Sequence, residues 1–424
     1  MALNDCRPTM RGCTCCSYCK FITLAHVKSS RFASGCPSIA YKGFHTYSAG
    51  GRLSAALSLV EGRTNYTHKF KEIVYQCQLC GLCDIACKLC RYDMDVLDTF
   101  HELRFKMVED GQTLPQHASL IAKLHEIDCM SRQPLVDQGT WAQGLEVNDL
   151  SETSGSILFH AGCESRSDNR MRKVARDAVT VLKNAGVDIG IMGKAEHCCG
   201  AKAYDIGYKS DFDRCVQNNL HAWTKAGVRT VVTSCSNCYF AFKRLYPKYA
   251  ASNIEVVHTI EFLYRLIREG RITFSRELPL TITYHDPCHL GRLGEPYVPW
   301  NGVVSKVFGQ IIKHVPSKPR YNGARGVYEP PREVLRSIPG LKLIEMQRTK
   351  ENAWCCGAGG GVNEAYPEFS LWTASERIEE AKSTKADALV SACLQCERNF
   401  MDAIRSNGET MKVYDIVELV QLAL

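Results

Sequence analysis

Two groups of closely spaced cysteines near the amino terminus have the spacing of iron–sulfur ligands. Three cysteines in the pattern C-x2-C-x2-C can hold three corners of a cubane [4Fe-4S] cluster, while a fourth, more distant cysteine ligates a second cluster. This pattern occurs twice, and each copy has a candidate fourth cysteine. The first group is Cys13, Cys16 and Cys19 with Cys36, and the second is Cys77, Cys80 and Cys83 with Cys87.

We therefore predict that the two groups exchange their fourth ligands, as in two-cluster ferredoxins. One cubane cluster would use Cys13, Cys16, Cys19 and Cys87, and the other Cys36, Cys77, Cys80 and Cys83. Lys88 stands where a proline usually follows the fourth cysteine, and Cys15 and Cys90 are alternative ligands. Zinc fits poorly, because its tetrahedral sites normally use separated C-x2-C pairs.

A second arrangement of cysteines occurs twice in residues 156–424. Each copy has the order Cys, Cys-Cys-Gly, Cys-x-x-Cys, with 35 residues between the last two motifs in the first copy and 36 in the second. Before the Cys-Cys pair lie 34 residues in the first copy and 66 in the second, which predicts an insertion within residues 293–328. The cysteines are Cys163, Cys198, Cys199, Cys235 and Cys238, then Cys288, Cys355, Cys356, Cys393 and Cys396.

The segments around these cysteines alternate between strand and helix. Residues 156–160, 229–234, 280–284 and 388–391 are short apolar runs typical of buried strands. Residues 169–185 and 211–226 are amphipathic helices that end at Gly186 and Gly227. This alternation predicts α/β domains with mainly parallel sheets, which place their sites at the carboxyl ends of strands. Residues 70–74 look helical, so an α-helical amino-terminal domain is expected.

Composition limits the alternatives. The chain has 424 residues, 45% apolar and 23% charged, which fits two or three packed domains and excludes a disordered or fibrous chain. Its 23 cysteines, without a secretory signal at the start, favour metal ligands in a reducing compartment, so we expect a cytoplasmic protein. No apolar run approaches the ~20 residues of a transmembrane helix. The formal charge of +7 is spread evenly, which argues against nucleic-acid binding.

The repeated motifs resemble the CCG domains of heterodisulfide reductase, and their fusion to a ferredoxin-like segment resembles the fused D subunit of that enzyme. The local sequences that carry this resemblance are residues 284–292, 331–335 and 354–361. The resemblance implies that each five-cysteine set binds a non-cubane [4Fe-4S] cluster. The long insertion and the opening Cys13–Cys19 segment are most similar to the heterodisulfide-reductase-like subunit of class II benzoyl-CoA reductases.

The predicted architecture is an α-helical two-cluster ferredoxin-like domain (1–107), a connecting segment (108–155) and two pseudo-repeated α/β CCG domains (156–275 and 276–424). We expect an electron-transfer subunit of an anaerobic oxidoreductase complex, with flavin- or ferredoxin-type redox subunits as partners. The alternative is an enzyme that cleaves a disulfide at the non-cubane clusters, with Cys198, Cys199, Cys355 and Cys356 as catalytic residues.

Other features carry weaker predictions. The glycines after Cys356 fail the G-x-G-x-x-G dinucleotide pattern because position 362 is valine. The insertion is either an ordered surface excursion or a docking surface. Residues 413–424 are predicted to form an apolar helix. The histidines beside the motifs are expected to be structural, and the unassigned cysteines to be buried, inert thiols. These residues are His160, His197, His285 and His289, and Cys6, Cys15, Cys90, Cys129 and Cys215.

Overall fold

The computed structural model describes residues 2–91, 94–131, 140–309 and 311–424. Its amino-terminal part is helical, as predicted, and no strand occurs in the described residues before 148. Pro37 and Pro115 each occupy the first turn of a helix, where the missing N–H of proline has no cost. The helices are α1 (Arg7–Gly12), α2 (Pro37–Lys42), α3 (Ala49–Val60), α4 (His68–Tyr75), α5 (Leu82–Cys90), α6 (Val96–Glu109) and α7 (Pro115–Ile127).

The first repeat is built on a parallel sheet of five strands with the order β1-β3-β2-β4-β5. Its first strand lies inside the segment predicted to be a connection, so the sheet begins before residue 156. The strands are β1 (Asn148–Asp149), β2 (Ile157–Phe159), β3 (Gly190–Ile191), β4 (Thr230–Thr233) and β5 (Glu255–His258). The helices are α8 (Gly162–Ser167), α9 (Asn169–Asn184), α10 (Ala201–Ile206), α11 (Lys209–Ala226), α12 (Ser236–Phe240) and α13 (Thr259–Arg268).

The second repeat has a parallel sheet with the order β11-β10-β6-β9, and a separate antiparallel hairpin of β7 and β8. The strands are β6 (Thr281–Tyr284), β7 (Val303–Val307), β8 (Ile311–Val315), β9 (Lys342–Leu343), β10 (Ala388–Ser391) and β11 (Lys412–Asp415). The helices are α14 (Glu329–Ser337), α15 (Val362–Ala365), α16 (Pro367–Ser383), α17 (Leu394–Ser406) and α18 (Ile416–Ala423). The hairpin lies in the region predicted to hold the insertion.

The two sheets have the same arrangement of their four matching strands. The strand before the first motif cysteine, β2 or β6, pairs with the strand before the Cys-x-x-Cys motif, β4 or β10. In each repeat β5 or β11 flanks this pair on one side, and β3 or β9 flanks it on the other. The repeat seen in the sequence is therefore a repeat of topology, and one continuous apolar core runs through both halves.

The predicted elements agree with the structure to within a few residues, with one clear error. Residues 413–424 do not form a single helix, because Lys412–Asp415 pairs with β10 as the edge strand β11. Asp415 then caps α18 by accepting a hydrogen bond from the Val417 N–H, while Glu418 accepts one from the Asp415 N–H. This capping box starts the helix at Ile416. Gly186 and Gly227 have positive φ and follow α9 and α11 closely, as predicted.

Candidate metal centres

The structure brings Cys87 to the loop that carries Cys13, Cys16 and Cys19. Burial raises the pKa of the Cys87 thiol, and the nearby thiols of Cys19, Cys13 and Cys16 raise it further. Cys87 lies on α5, which packs against the short turn at residues 18–20. Cys16 is exposed and Cys19 is buried. We call these four cysteines the outer thiol set.

Cys36 lies beside the three cysteines of the second group. Burial raises its pKa to about 12, and the thiols of Cys77 and Cys80 contribute in the same direction. Burial likewise raises the pKa of Cys83, with further contributions from Cys77, Cys36 and Cys80. One small cavity is lined by all four of these cysteines. We call Cys36, Cys77, Cys80 and Cys83 the inner thiol set.

Two buried arginines hold the backbone around the inner thiol set. Arg52 donates to the Ile73 and Gln76 carbonyls at 2.7 and 2.5 Å and also lies close enough to lower the pKa of Cys36. Arg104 donates to the Cys77 carbonyl at 2.8 Å and to the Gly360 carbonyl, also at 2.8 Å. The loop of the inner set is therefore tied to the Cys-Cys-Gly segment of the second repeat.

All five motif cysteines of the first repeat meet in one buried group. Cys198 shares hydrogen bonds with Cys163 and Cys199, which raise its pKa. Cys238 is linked in the same way to Cys199 and Cys235. Because β2 and β4 are neighbouring parallel strands, Cys163 and Cys235 reach the same carboxyl edge of the sheet. We call this group the first repeat set.

The second repeat has an equivalent group of five cysteines. Cys355 shares hydrogen bonds with Cys288 and Cys356, and these raise its pKa. Burial raises the pKa of Cys396, with hydrogen bonds to Cys356 and Cys393 adding to it. We call this group the second repeat set.

The surroundings of both repeat sets suit a bulky inorganic group bound by thiolates. A Cβ on Gly162, which has φ of +79°, would lie 3.2 Å from the Cys238 sulfur, so a side chain there would crowd the sulfurs. Asn219 donates its amide N–H to the Cys198 carbonyl at 2.9 Å, and in the second repeat Asn399 donates to the carbonyl of Cys356, the second cysteine of its pair, at 2.7 Å. Clusters of buried thiols are soft donors, which favour iron–sulfur clusters.

The four thiol sets lie in a row, because each set has a contact with the next one. Burial and then the other thiols, Cys19 of the outer set among them, raise the pKa of Cys83 in the inner set. A hydrogen bond to Cys355 lowers the pKa of Cys80, connecting the inner set to the second repeat set. The charge of Cys393 helps to raise the pKa of Cys235, so the two repeat sets lie next to each other.

The two Cys-x-x-Cys loops also pack directly on one another. The Ser236 hydroxyl donates to the Ala392 carbonyl at 2.7 Å, and the Asn237 amide donates to the Gln395 side-chain oxygen at 2.6 Å. Asn237 and Gln395 hold matching positions in the two repeats, each one residue before the second cysteine of its motif. The repeats therefore face each other through the loops that carry Cys235, Cys238, Cys393 and Cys396.

Three of the motif histidines have distinct roles in the described contacts. Burial lowers the pKa of His285, and the neighbouring Cys356 thiol acts in the opposite direction. Burial also acts to lower the pKa of His289, but the adjacent Cys288 thiolate outweighs it and raises this pKa to about 9. His197 shares a hydrogen bond of 2.7 Å with Asp128 at the edge of the first repeat. The expectation of purely structural histidines is therefore incomplete for His285 and His289.

The unassigned cysteines divide into two groups. Cys6 and Cys215 are buried, and burial raises the pKa of both, as expected for inert thiols. Cys15 contacts Cys13, and buried Cys129 shares a hydrogen bond with Cys163 that raises the pKa of Cys129. The side chain of Cys90 lies outside the described part of the structure. Nothing in the cysteine spacing indicates that Cys129, from the segment between domains, reaches the first repeat set.

Comparison with known proteins identifies the family. The cysteine-rich domain family called CCG matches residues 157–243 and 317–401. The D subunit of the dihydromethanophenazine:CoB–CoM heterodisulfide reductase of Methanosarcina mazei is 32% identical over 361 residues, which cover 84% of this chain and 79% of that protein. The chain belongs to the family of heterodisulfide reductase D subunits. It is an iron–sulfur oxidoreductase component that functions in electron transfer.

More distant relatives of this heterodisulfide reductase family member are also redox proteins. EtfAB:quinone oxidoreductase of Syntrophomonas wolfei is 30% identical over 63% of this chain and 34% of its own length. The probable iron-sulfur-binding oxidoreductase FadF of Bacillus subtilis is 27% identical over 82% of this chain and 46% of its own length. Both proteins are named as oxidoreductases, and the segment similar to this chain is less than half of the length of each.

A solved structure supports the fold. A hypothetical protein from Helicobacter pylori superposes with a TM-score of 0.52 at 11% identity, over 89% of this chain and 67% of that one. Within the described residues, none of the helices has the length and apolar character needed to cross a bilayer.

Proposed function

We propose that this relative of the heterodisulfide reductase D subunits carries electrons through four iron–sulfur clusters, each held by one thiol set. The outer and inner sets would hold two cubane [4Fe-4S] clusters in a ferredoxin-like domain, and the repeat sets would hold two non-cubane [4Fe-4S] clusters. The observation that carries the proposal is the contact between Cys80 and Cys355, which joins the amino-terminal domain to the second repeat. Bound clusters of this kind accept and release single electrons.

The order of the sets gives the proposed route. The outer set has an exposed ligand, Cys16, whereas the inner set and both repeat sets are more deeply enclosed. We therefore place electron exchange with partners at the outer set and the opposite end of the route at the repeats. The polypeptide contributes by excluding water and by donating hydrogen bonds near the sulfurs, and both effects tune redox potentials.

The partner at the outer set would be an acidic redox protein of the ferredoxin or flavin type. Residues 6–60 contain no Asp or Glu and seven Lys or Arg residues, of which Arg52 is buried and the other six are at least partly exposed. Phe21 and Leu89, which are 49% and 53% exposed, line an open groove beside α5, the helix that carries Cys83 and Cys87. Glu329, Lys350 and Glu351 also line this groove. An apolar contact next to a basic segment suits a partner with negative charge around its own cluster or flavin.

A rapid-mixing experiment tests this route. A reduced, acidic two-cluster ferredoxin would be mixed with the cluster-replete protein, and each cluster followed by freeze-quench electron paramagnetic resonance. We expect the repeat signals to appear after the amino-terminal ones. In Cys83→Ser they should appear at least about 100-fold more slowly, while Cys215→Ser, a buried thiol outside the sets, should behave as wild type. Reduction of the repeats at the wild-type rate in Cys83→Ser would refute the route.

Charge-reversal variants test whether the partner docks on the amino-terminal basic segment or on the insertion. Lys20→Glu with Lys28→Glu should slow reduction by the acidic ferredoxin at low salt and weaken its salt dependence, because steering is electrostatic. The matched control is Lys306→Glu with Lys313→Glu on the exposed hairpin. If the hairpin pair slows reduction and the amino-terminal pair does not, the partner docks on the insertion instead.

Catalytic disulfide reduction is the second candidate. The relatives that are named as D subunits of heterodisulfide reductase favour it, and so does the close approach of the two repeat sets at Cys235 and Cys393. In this proposal the substrate disulfide binds between the repeats, near Cys198, Cys199, Cys355 and Cys356. The isolated, cluster-replete chain would be assayed with reduced viologen and the CoM–CoB heterodisulfide. Turnover establishes catalysis by this chain, and inactivity with intact cluster signals leaves the relay function alone.

A further inference from the structure

His285 occupies a buried position beside two thiols of the second repeat set. One of its ring nitrogens lies within 4.8 Å of the sulfurs of Cys356 and Cys396. This spacing leaves two chemical roles open. A histidine nitrogen near a metal centre can be a ligand through its lone pair, or it can carry a proton and donate a hydrogen bond to a sulfur.

A buried arginine decides between these roles. The Arg377 Nε–H donates to His285 Nδ1 at 3.1 Å. Because a guanidinium has no acceptor, Nδ1 must be the unprotonated nitrogen, and the proton of the neutral imidazole must be on Nε2. Nε2 is buried and makes no hydrogen bond of its own in the structure, and the Cys356 sulfur, within 4.8 Å of a ring nitrogen, is the nearby acceptor that raises the histidine pKa. A protonated Nε2 has no free lone pair for iron.

Other buried groups fix the arginine itself. Arg377 donates to Glu380 at 2.7 Å and to the Arg348 carbonyl at 3.0 Å. Glu380 also accepts from the Arg348 Nε–H at 2.9 Å. Arg348 in turn donates to the Ser34 carbonyl at 2.9 Å, two residues before Cys36. The guanidinium of Arg377 therefore has little freedom to rotate away from His285.

The first repeat provides an internal comparison. His160 matches His285, since it contacts Phe242 edge-on at 4.9 Å just as His285 contacts Phe400 at 4.9 Å. Neither ring nitrogen of His160 has a hydrogen-bond partner among the described contacts, and a carboxylate oxygen of Glu196 lies 3.9 Å from Nδ1. Counting from the flanking motifs, Arg377 corresponds to Asn219 or Leu220, neither of which carries a charge.

We propose that Arg377 fixes His285 as a hydrogen-bond donor to the Cys356 sulfur, which raises the reduction potential of the second-repeat cluster. Among the described residues of the first repeat, no arginine donates to His160 in this way. His285 is thus a positioning residue and not a cluster ligand. A donor to a ligand sulfur stabilises the reduced cluster, which carries more negative charge, so its loss lowers the potential. This inference rests on the proposed iron–sulfur centre in the second repeat.

A redox titration of the full-length holoprotein, monitored by electron paramagnetic resonance, tests the proposal. The second-repeat signal is assigned as the one that is lost in Cys393→Ser. In His285→Leu we expect its reduced-to-oxidised ratio at a fixed potential to fall at least tenfold, about 59 mV for a one-electron couple. His285→Gln, which retains an N–H donor, should recover part of this shift, and Arg377→Leu should show an intermediate shift. His160→Leu should leave the second-repeat signal unchanged.

A second readout starts from the wild-type protein. In protein labelled with ¹⁵N-histidine, pulsed resonance should show only weak nitrogen coupling at the second-repeat signal, as expected for donors, and His285→Gln should remove the coupling of His285 while that of His289, beside Cys288, remains. Strong coupling would make His285 a ligand and overturn the inference. An unmoved potential in a His285→Leu protein with full iron content would also overturn it. Absence of any second-repeat cluster in the wild type would instead refute the proposed function.

Discussion

At the residue scale, neighbouring thiols oppose the ionisation of Cys83 in the inner set and of Cys87 in the outer set. Burial, and then neighbouring thiols, raise the pKa of Cys83 and Cys87. Thiolates are nevertheless the form that binds iron, so cluster binding must displace protons and offset the repulsion. A single missing thiol should therefore damage one set and leave the other sets intact.

Cysteine substitutions in the repeats test this independence. Cys199→Ser should remove the first-repeat cluster, and Cys356→Ser the second-repeat cluster, each lowering the iron content by about four atoms per chain. Electron paramagnetic resonance should show that the amino-terminal signals persist in both variants. Cys215→Ser serves as the control, and its iron content should equal that of the wild type. Loss of all clusters from either repeat variant would show that the sets assemble as one unit.

Spacing in the sequence predicts the thiol sets but not their surroundings. Cysteines that share a loop can be recognised by their short spacing in the sequence. Cysteines that follow neighbouring strands can be recognised because their motif is repeated. Arg377 lies 92 residues from His285, and no pattern links them. The same holds for Cys129 and for Arg104, whose bonds to the inner set and the second repeat depend on how separate elements pack.

At the element scale, the error at residues 413–424 has a local cause. Apolar residues continue from the edge strand β11 into α18, so periodicity alone does not separate them. The boundary is set by the capping box of Asp415 and Glu418, a signal that was available in the sequence. The strands β3 and β9 have only two residues each, too few to produce a pattern.

Asp415 gives the carboxyl-terminal helix a pH-dependent stability. Burial raises its pKa from 3.8 to about 7. Folding therefore takes up a proton between about pH 4 and pH 7, and the free energy of unfolding falls as the pH rises through this range. Asp415→Asn retains a side-chain oxygen for the Val417 N–H but removes the charge. Thermal unfolding should show it more stable than wild type at pH 8, by more than about 1 kcal/mol.

The same comparison at low pH is the control for that prediction. At pH 4 the wild-type carboxyl group is already neutral in the folded protein, so Asp415→Asn should have nearly the stability of the wild type. Asp415→Ala, which removes the charge but also loses the helix cap, should be less stable than Asp415→Asn by about 1 kcal/mol at both pH values. An advantage for Asp415→Asn that is equal at pH 4 and pH 8 would contradict this explanation.

The insertion hairpin should be dispensable for cluster binding. Within the described residues β7 and β8 pair only with each other, and Val303 and Phe308 are 69% and 91% exposed. The base of the insertion is held separately, since Arg244 stacks on Tyr321. Replacing residues 302–316 by a short Gly-Ser linker should leave the iron content and the melting temperature close to wild type. A loss of iron would show that the hairpin protects a cluster.

At the scale of the whole molecule, the three parts are interlocked. Arg292 reaches from the second repeat to the Cys80 carbonyl at 2.7 Å, and buried Lys202 of the first repeat pairs with Glu364 of the second at 2.7 Å. Such contacts keep the four thiol sets at fixed separations, which electron transfer between clusters requires. The sequence predicted the three parts and their order, whereas their relative placement follows from contacts between distant residues.

The iron and acid-labile sulfide content of anaerobically purified, full-length protein tests the central claim most directly. Four clusters of four irons predict about sixteen irons and a similar number of sulfides per chain. Saturation near eight irons in a folded protein would contradict the assignment of clusters to the repeats. A colourless protein that contains only zinc would contradict the entire account.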